Sequence, residues 1–279
     1  MDESRSAGTV EKVTAGRAKP ESPQTESPQP ESRLESQQAG AVRSAASPPA
    51  ASQSAASQSA VSEPDATKSD APKGTAVLVH GLWMPGWETW LLRRRLEAAG
   101  YATTGFVYPT VGVGLDANVE QLAAFAEGLP SGPVHFVGHS LGGALVVKLF
   151  ERHGFEGDGR IVCLGSPLNG SRPGAVLDAH PLGRRIVGRC IHDLLACGAC
   201  SRWSGARELG IIAGDVPLGF GRLLGGLPSP NDGTVAVDET CIAGLADHIV
   251  LPVSHTGMVF SAAVAQQTAH FLQNGKFKR

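Results

Sequence analysis

Ser140 lies in the run Gly138-His139-Ser140-Leu141-Gly142, and two residues that could activate it follow in chain order: Asp232, in Asn231-Asp232-Gly233-Thr234-Val235, and His255, in Ser254-His255-Thr256-Gly257. A serine hydroxyl is a weak nucleophile until an adjacent base takes its proton, and an imidazole does this best when an acid fixes its tautomer. The three residue types therefore suit acyl transfer. Ser140 attacks an acyl carbonyl, His255 accepts the proton and returns it to the leaving group, and Asp232 orients the ring and stabilises its charged form. Asp215 is the rival acid, because Ile211-Ile212-Ala213-Gly214 also delivers a carboxylate to the end of an apolar run.

A G-x-S-x-G pattern has little meaning alone in a chain with 35 glycines, so its surroundings decide. Here it follows the apolar run Val134-His135-Phe136-Val137 and opens a helical pattern over 141–153, the strand–turn–helix setting that exposes a nucleophile on a tight turn. Such a turn strains the serine backbone and brings neighbouring segments close, which explains glycine at 138 and 142. Upstream, a first apolar strand ends in His80-Gly81-Leu82-Trp83. The loop after that strand and the residue after the nucleophile are where two backbone N–H groups can meet a developing oxyanion, which makes Leu82 and Leu141 the candidate donors.

The elements that must hold these residues follow from hydrophobic periodicity. Strands are expected over 75–80, 102–108, 134–138, 160–164, 209–213 and 248–253, and helices over 87–99, 116–129, 141–153 and 258–273. Short β-branched runs alternating with helical segments indicate an α/β fold with a six-stranded, mostly parallel sheet and helices on both faces. Residues 168–206 match neither pattern clearly.

Taken together, His80-Gly81, Gly138-His139-Ser140-Leu141-Gly142-Gly143, Asn231-Asp232-Gly233-Thr234-Val235 and Ser254-His255 resemble the α/β-hydrolase superfamily, in its lipase and esterase branch, over about residues 75–275. The resemblance implies an α/β-hydrolase fold, here reduced to six strands, with a lid insertion at about 168–206. It implies hydrolysis of carboxylic esters through an acyl-enzyme on Ser140, with no cofactor. The same machinery would serve a thioesterase or an acyltransferase, and a non-catalytic module on the same fold is the alternative of a different class.

Composition separates this region from the first 72 residues. Those carry 14 Ser and 8 Pro, no aromatic residue, and only Val10, Val13, Leu34, Val42 and Val61 as larger aliphatic residues. Too little apolar surface is available there to offset the entropy of ordering, so residues 1–72 are expected to be a disordered tail and 73–279 the hydrolase domain. The net charge of −2 shows no basic excess of the kind that binds nucleic acid. No apolar run is long enough to span a membrane or to form a signal-peptide core, and a cytoplasmic location with mostly reduced cysteines is expected.

Two segments bear on substrate. Residues 168–206 hold Arg172, Arg184, Arg185, Arg189 and Arg202 against Asp178 and Asp193, a bias that suits either a solvated helix face or transient contact with an anionic or lipid surface. Residues 216–227, with Phe220, Leu223, Leu224 and Leu227, suit either an acyl-chain wall or ordinary core. Cys190, His192, Cys197 and Cys200 lie close enough in sequence for a zinc site, a disulfide or free packing thiols, and the acyl-transfer chemistry requires no metal. The expected partner is a small-molecule or lipid acyl ester.

Overall fold

The computed structural model describes residues 72–155, 157–198, 200, 202–219 and 227–279. The tail expected over 1–72 lies outside the described residues apart from Pro72, as do Phe220, Leu223 and Leu224 of the proposed wall.

Six strands, β1 (Thr75–Val79), β2 (Ala102–Phe106), β3 (Val134–His139), β4 (Ile161–Leu164), β5 (Leu209–Gly214) and β6 (Asp247–Leu251), form one sheet in the order β2-β1-β3-β4-β5-β6. Every pairing is parallel, so the expected mostly parallel sheet is wholly so. Parallel strands need crossovers, and helices supply them. These are α1 (Trp90–Ala98), α2 (Leu115–Glu127), α3 (Leu141–His153), α4 (Arg172–Asp178), α5 (Pro181–Ala196), the single turn α6 (Val237–Thr240) and the closing α7 (Ala262–Asn274).

The strands read as continuous apolar runs because both faces of the sheet are covered. Val77 and Val79 of β1 and Phe136 of β3 join the core beneath α2 and α3. Their neighbours Ala76, Leu78 and Val137 point the other way, into the core beneath α1 and α7. Because neighbouring β1 and β3 run parallel, both present their C-terminal ends on the same side of the sheet, between two packed layers.

The helix expected over 87–99 begins instead with a 3-10 turn, Trp87–Thr89, because Gly86 before it takes the left-handed conformation at φ 93°. The helix expected over 258–273 is divided at Ser261, whose hydroxyl accepts from the backbone N–H of Val264 and so caps α7. The 3-10 turn Thr256–Phe260 precedes it. The segment 168–206 folds into α4 and α5. α5 is broken at Gly188 (φ 81°), where a β-carbon would stand 2.4 Å from the Val111 Cα, and Arg189 N–H bonds to the Val111 carbonyl at 2.9 Å.

Candidate active site

The turn at Ser140 is built by backbone contacts. β3 ends at His139 and α3 starts at Leu141, leaving Ser140 alone at φ 54°, ψ −122°, a conformation that side-chain-bearing residues rarely adopt. Its N–H bonds to the Leu164 carbonyl of β4 at 2.8 Å, which pins the turn to the sheet. A β-carbon on Gly138 would lie 2.4 Å from the Gly143 Cα, and one on Gly142 would lie 2.2 Å from the Val79 carbonyl oxygen. Gly143 is equally constrained, since a β-carbon there would meet the Ser166 hydroxyl. The helix can therefore start directly off the strand only with glycine at all three positions.

Asp232 and His255 come together from separate loops. His255 donates from Nδ1 to Asp232 Oδ2 at 2.7 Å, and its backbone N–H bonds to the Asp232 carbonyl at 2.9 Å. The other carboxylate oxygen, Oδ1, accepts from the N–H groups of Thr234 (2.9 Å) and Val235 (2.7 Å). Asn231 closes the turn by accepting from the Gly233 N–H at 3.0 Å. Asp232 is buried and accepts three hydrogen bonds, which fix its carboxyl group in place. Asp215 is exposed, and no hydrogen bond joins its side chain to His255, so the structure pairs the histidine with Asp232.

With Nδ1 engaged, the Nε2 side of the His255 ring is left for proton transfer. His255 and Ser140 line the same cavity, of about 300 Å³. Among the described residues no hydrogen bond joins the Ser140 hydroxyl to the imidazole.

Leu82 and Leu141 also line this cavity. Neither backbone N–H is used in a hydrogen bond among the described residues. The loop carrying Leu82 is held by His80. His80 accepts the Tyr108 backbone N–H at Nε2 (3.2 Å), so its proton sits on Nδ1 and is donated to the Gly81 carbonyl (3.0 Å). The ring stacks on Tyr108 at 4.5 Å, and burial lowers its pKa, keeping it the neutral form this pattern needs. Gly81 is closely packed as well, since a β-carbon would come within 3.1 Å of both His139 and Ser140.

His139 has a position that spacing alone does not reveal. It is fully enclosed, its Nε2–H donates to the His255 carbonyl at 3.0 Å, and the two rings lie 4.8 Å apart. Burial, and secondarily the nearby His255, push its pKa down to about 3. The G-H-S triplet was the only sequence signal for it.

The cavity is apolar where α4 and α5 cover it. Leu177, Val187 and Ile191 face Leu82, Trp83 and Val235 across it. Of the segment 216–227, Gly219 reaches the cavity, whereas Leu218 is exposed. Phe220, Leu223 and Leu224 of that segment lie outside the described residues; among the described ones, α4 and α5 supply much of the apolar lining. Cys190, Cys197 and Cys200 are unpaired, His192 bonds to Asp178, and no metal-holding group of three or more His, Cys, Asp or Glu occurs among the described residues. No helix among them is long and apolar enough to cross a membrane.

Solved structures share this architecture. A Bacillus licheniformis lipase, BlEst2 in mature form, is 17% identical, with 78% of this chain and 96% of that chain covered and a TM-score of 0.51. A structure of the metagenome-derived lipolytic enzymes LipS and LipT matches at 14% identity, with 73% and 94% coverage and a TM-score of 0.53. Alpha/beta hydrolase domain-containing protein 10 from mouse matches at 12%, with 72% and 88% coverage and a TM-score of 0.52. At these identities the likeness is one of fold. Comparison with curated proteins returns no match. The profile of the alpha/beta hydrolase family matches residues 76–268, a span that contains the Ser140 turn, the Asp232 loop and His255, and the chain belongs to that family.

Proposed function

We propose that the protein hydrolyses carboxylic esters with Ser140 as nucleophile, His255 as general base and acid, and Asp232 as the carboxylate that fixes the imidazole. The support is one relationship: the 2.7 Å bond between His255 Nδ1 and Asp232, on an imidazole that shares a cavity with the strained Ser140 turn. Ser140 Oγ attacks the acyl carbon while its proton passes to His255 Nε2. The negative charge that develops on the carbonyl oxygen is met by the N–H groups of Leu82 and Leu141, which are already fixed by the sheet and the helix start. The bond to the alcohol then breaks, and the alkoxide leaves with the proton from His255. Water, deprotonated by the same nitrogen, attacks the acyl-enzyme, and collapse of that second adduct frees the acid and restores Ser140. Unliganded sites often hold the serine and imidazole loosely, with the bond tightening when substrate is bound.

Two of the matched structures are lipolytic by name, and an apolar cavity is the feature here that agrees with such a substrate. Treatment with a fluorophosphonate probe, read by intact mass and peptide mapping, should give a single adduct on Ser140. A panel of p-nitrophenyl esters of increasing chain length should show turnover with a chain-length optimum. Absence of both an adduct and turnover in folded protein would overturn the assignment.

A further inference from the structure

The exposed apolar side chains are distributed unevenly. Ten large ones are exposed among the described residues, and all but Val250, in edge strand β6, lie on segments that leave the C-terminal ends of strands, where the Ser140 cavity opens. Trp83, Trp87 and Trp90 follow β1, Leu182 and Ile186 lie on the cap helix α5, and Phe260 follows β6. Direct contacts tie them together. The Trp83 indole donates to the Ile186 carbonyl at 3.0 Å, and Leu182 precedes Ile186 by one helical turn. The Trp87–Thr89 turn packs on the Thr256–Phe260 turn, and Arg95 of α1 bonds to the Phe260 carbonyl. An apolar band therefore runs from the cap across the mouth of the cavity to α1.

Cations border this band. Arg185 and Arg189 are exposed on α5, and their side chains enter no ion pair or hydrogen bond among the described residues. Arg94 lies over the Trp90 ring at 5.8 Å. Of the acids on these segments, Glu88 is buried, Asp178 is held by Arg184 and His192, Asp193 of α5 accepts from the Leu115 N–H, and Glu97 of α1 accepts from the Thr103 hydroxyl. Exposed apolar patches of this extent mark interaction surfaces. Indole rings, apolar with one polar edge, suit the boundary between lipid headgroups and acyl chains, and flanking arginines suit phosphates.

We propose that this face docks on an anionic phospholipid surface, with Trp87, Leu182 and Ile186 entering the headgroup boundary and Arg185 and Arg189 meeting lipid phosphates. The docking does not depend on catalysis. If the proposed function also holds, it brings the cavity mouth against a reservoir of acyl esters.

Flotation of the full chain with phosphatidylcholine vesicles, with and without phosphatidylglycerol, tests the proposal. The protein should float with the anionic vesicles, and added salt should release it. The pair Arg185→Ala/Arg189→Ala should partition about 25-fold more weakly, about fivefold per arginine near a charged bilayer. Trp87→Ala/Leu182→Ser should also lose flotation. Both variants should keep the wild-type thermal melt and, where the ester is a dissolved monomer, its turnover. No binding to anionic vesicles, or undiminished binding of the arginine variant, overturns the proposal. If sizing shows a dimer that the same substitutions dissociate, without vesicle binding, the face is a protein interface and lipid docking is excluded. Ser140→Ala protein gives the same flotation readout, so a failure of docking and a failure of the ester-hydrolase assignment are separable.

Discussion

The Nε2–H of His139 donates to the carbonyl oxygen of His255 at 3.0 Å, so the residue before Ser140 grips the loop that carries His255. His139→Leu removes the shorter of two donors to that carbonyl and leaves it only the 3.4 Å bond from the Met258 N–H, at a cost of about 1–3 kcal/mol. We expect kcat/KM for a p-nitrophenyl ester to fall roughly 10- to 100-fold by the same scale, and His139→Gln, which can present an N–H to the same oxygen, to recover most of the loss. Equal losses in the two variants would show that the hydrogen bond is not what matters.

Asp232→Asn should lower kcat by about 10⁴, through an imidazole held in the wrong tautomer. Asp215→Asn should leave kcat within about twofold, since its exposed side chain makes no bond to His255. Comparable losses in both variants would contradict the pairing of His255 with Asp232.

Gly142→Ala would place a methyl group 2.2 Å from the Val79 carbonyl oxygen and 2.5 Å from that of His80, both backbone atoms of the sheet. A destabilisation of about 3 kcal/mol or more is expected, the upper end of core overpacking. Gly112→Ala is the control, because nothing lies within 4 Å of its β-carbon. Urea midpoints of the two variants compare them directly.

Stability should depend on pH through buried histidines. Burial pushes His135 down to about 4 and His139 down to about 3, and it also lowers His80. Unfolded, each would bind a proton near 6.5, so between that value and about 3 the unfolded chain holds more protons than the folded one. The folded state is therefore favoured fully above about pH 6.5 and progressively less as pH falls. The urea midpoint should be lower at about pH 5 than at about pH 7.5. In His139→Gln the decrease should be smaller, and identical pH dependence in that variant would remove His139 from the account.

Gly188→Ala tests the cap separately from the chemistry. Its φ of 81° and a clash with Val111 oppose a side chain, and the adjacent Val187 and nearby Ile191 line the cavity. KM for a medium-chain ester should rise more than kcat falls. A selective loss of kcat would mean that α5 acts on the reacting groups and not on acyl binding.

Much of this architecture is legible in the chain because it is locally encoded. Apolar runs such as Val134–Val137 mark strands buried on both faces, and the glycines around Ser140 mark a turn that no other residue could make. The order Ser140, Asp232, His255 and the six-stranded plan with its helices come from the same kind of signal. Element ends were less legible where a single residue competes for the backbone, as Ser261 does by capping α7 and Gly86 by entering the left-handed region.

The tertiary structure alone decided relationships between distant residues. Asp232 and Asp215 both follow β5, and only the loop geometry shows which carboxylate reaches His255, 23 positions away. His80 and His139 look like bystanders in a motif until Tyr108 and the His255 carbonyl are seen beside them. Likewise nothing in the sequence marks Leu177 of α4 or Val187 and Ile191 of α5 as residues that line the cavity beside Ser140. Periodicity and turn chemistry are properties of neighbours in sequence, whereas hydrogen-bond partners, cavities and surface bands depend on which segments the parallel sheet sets side by side.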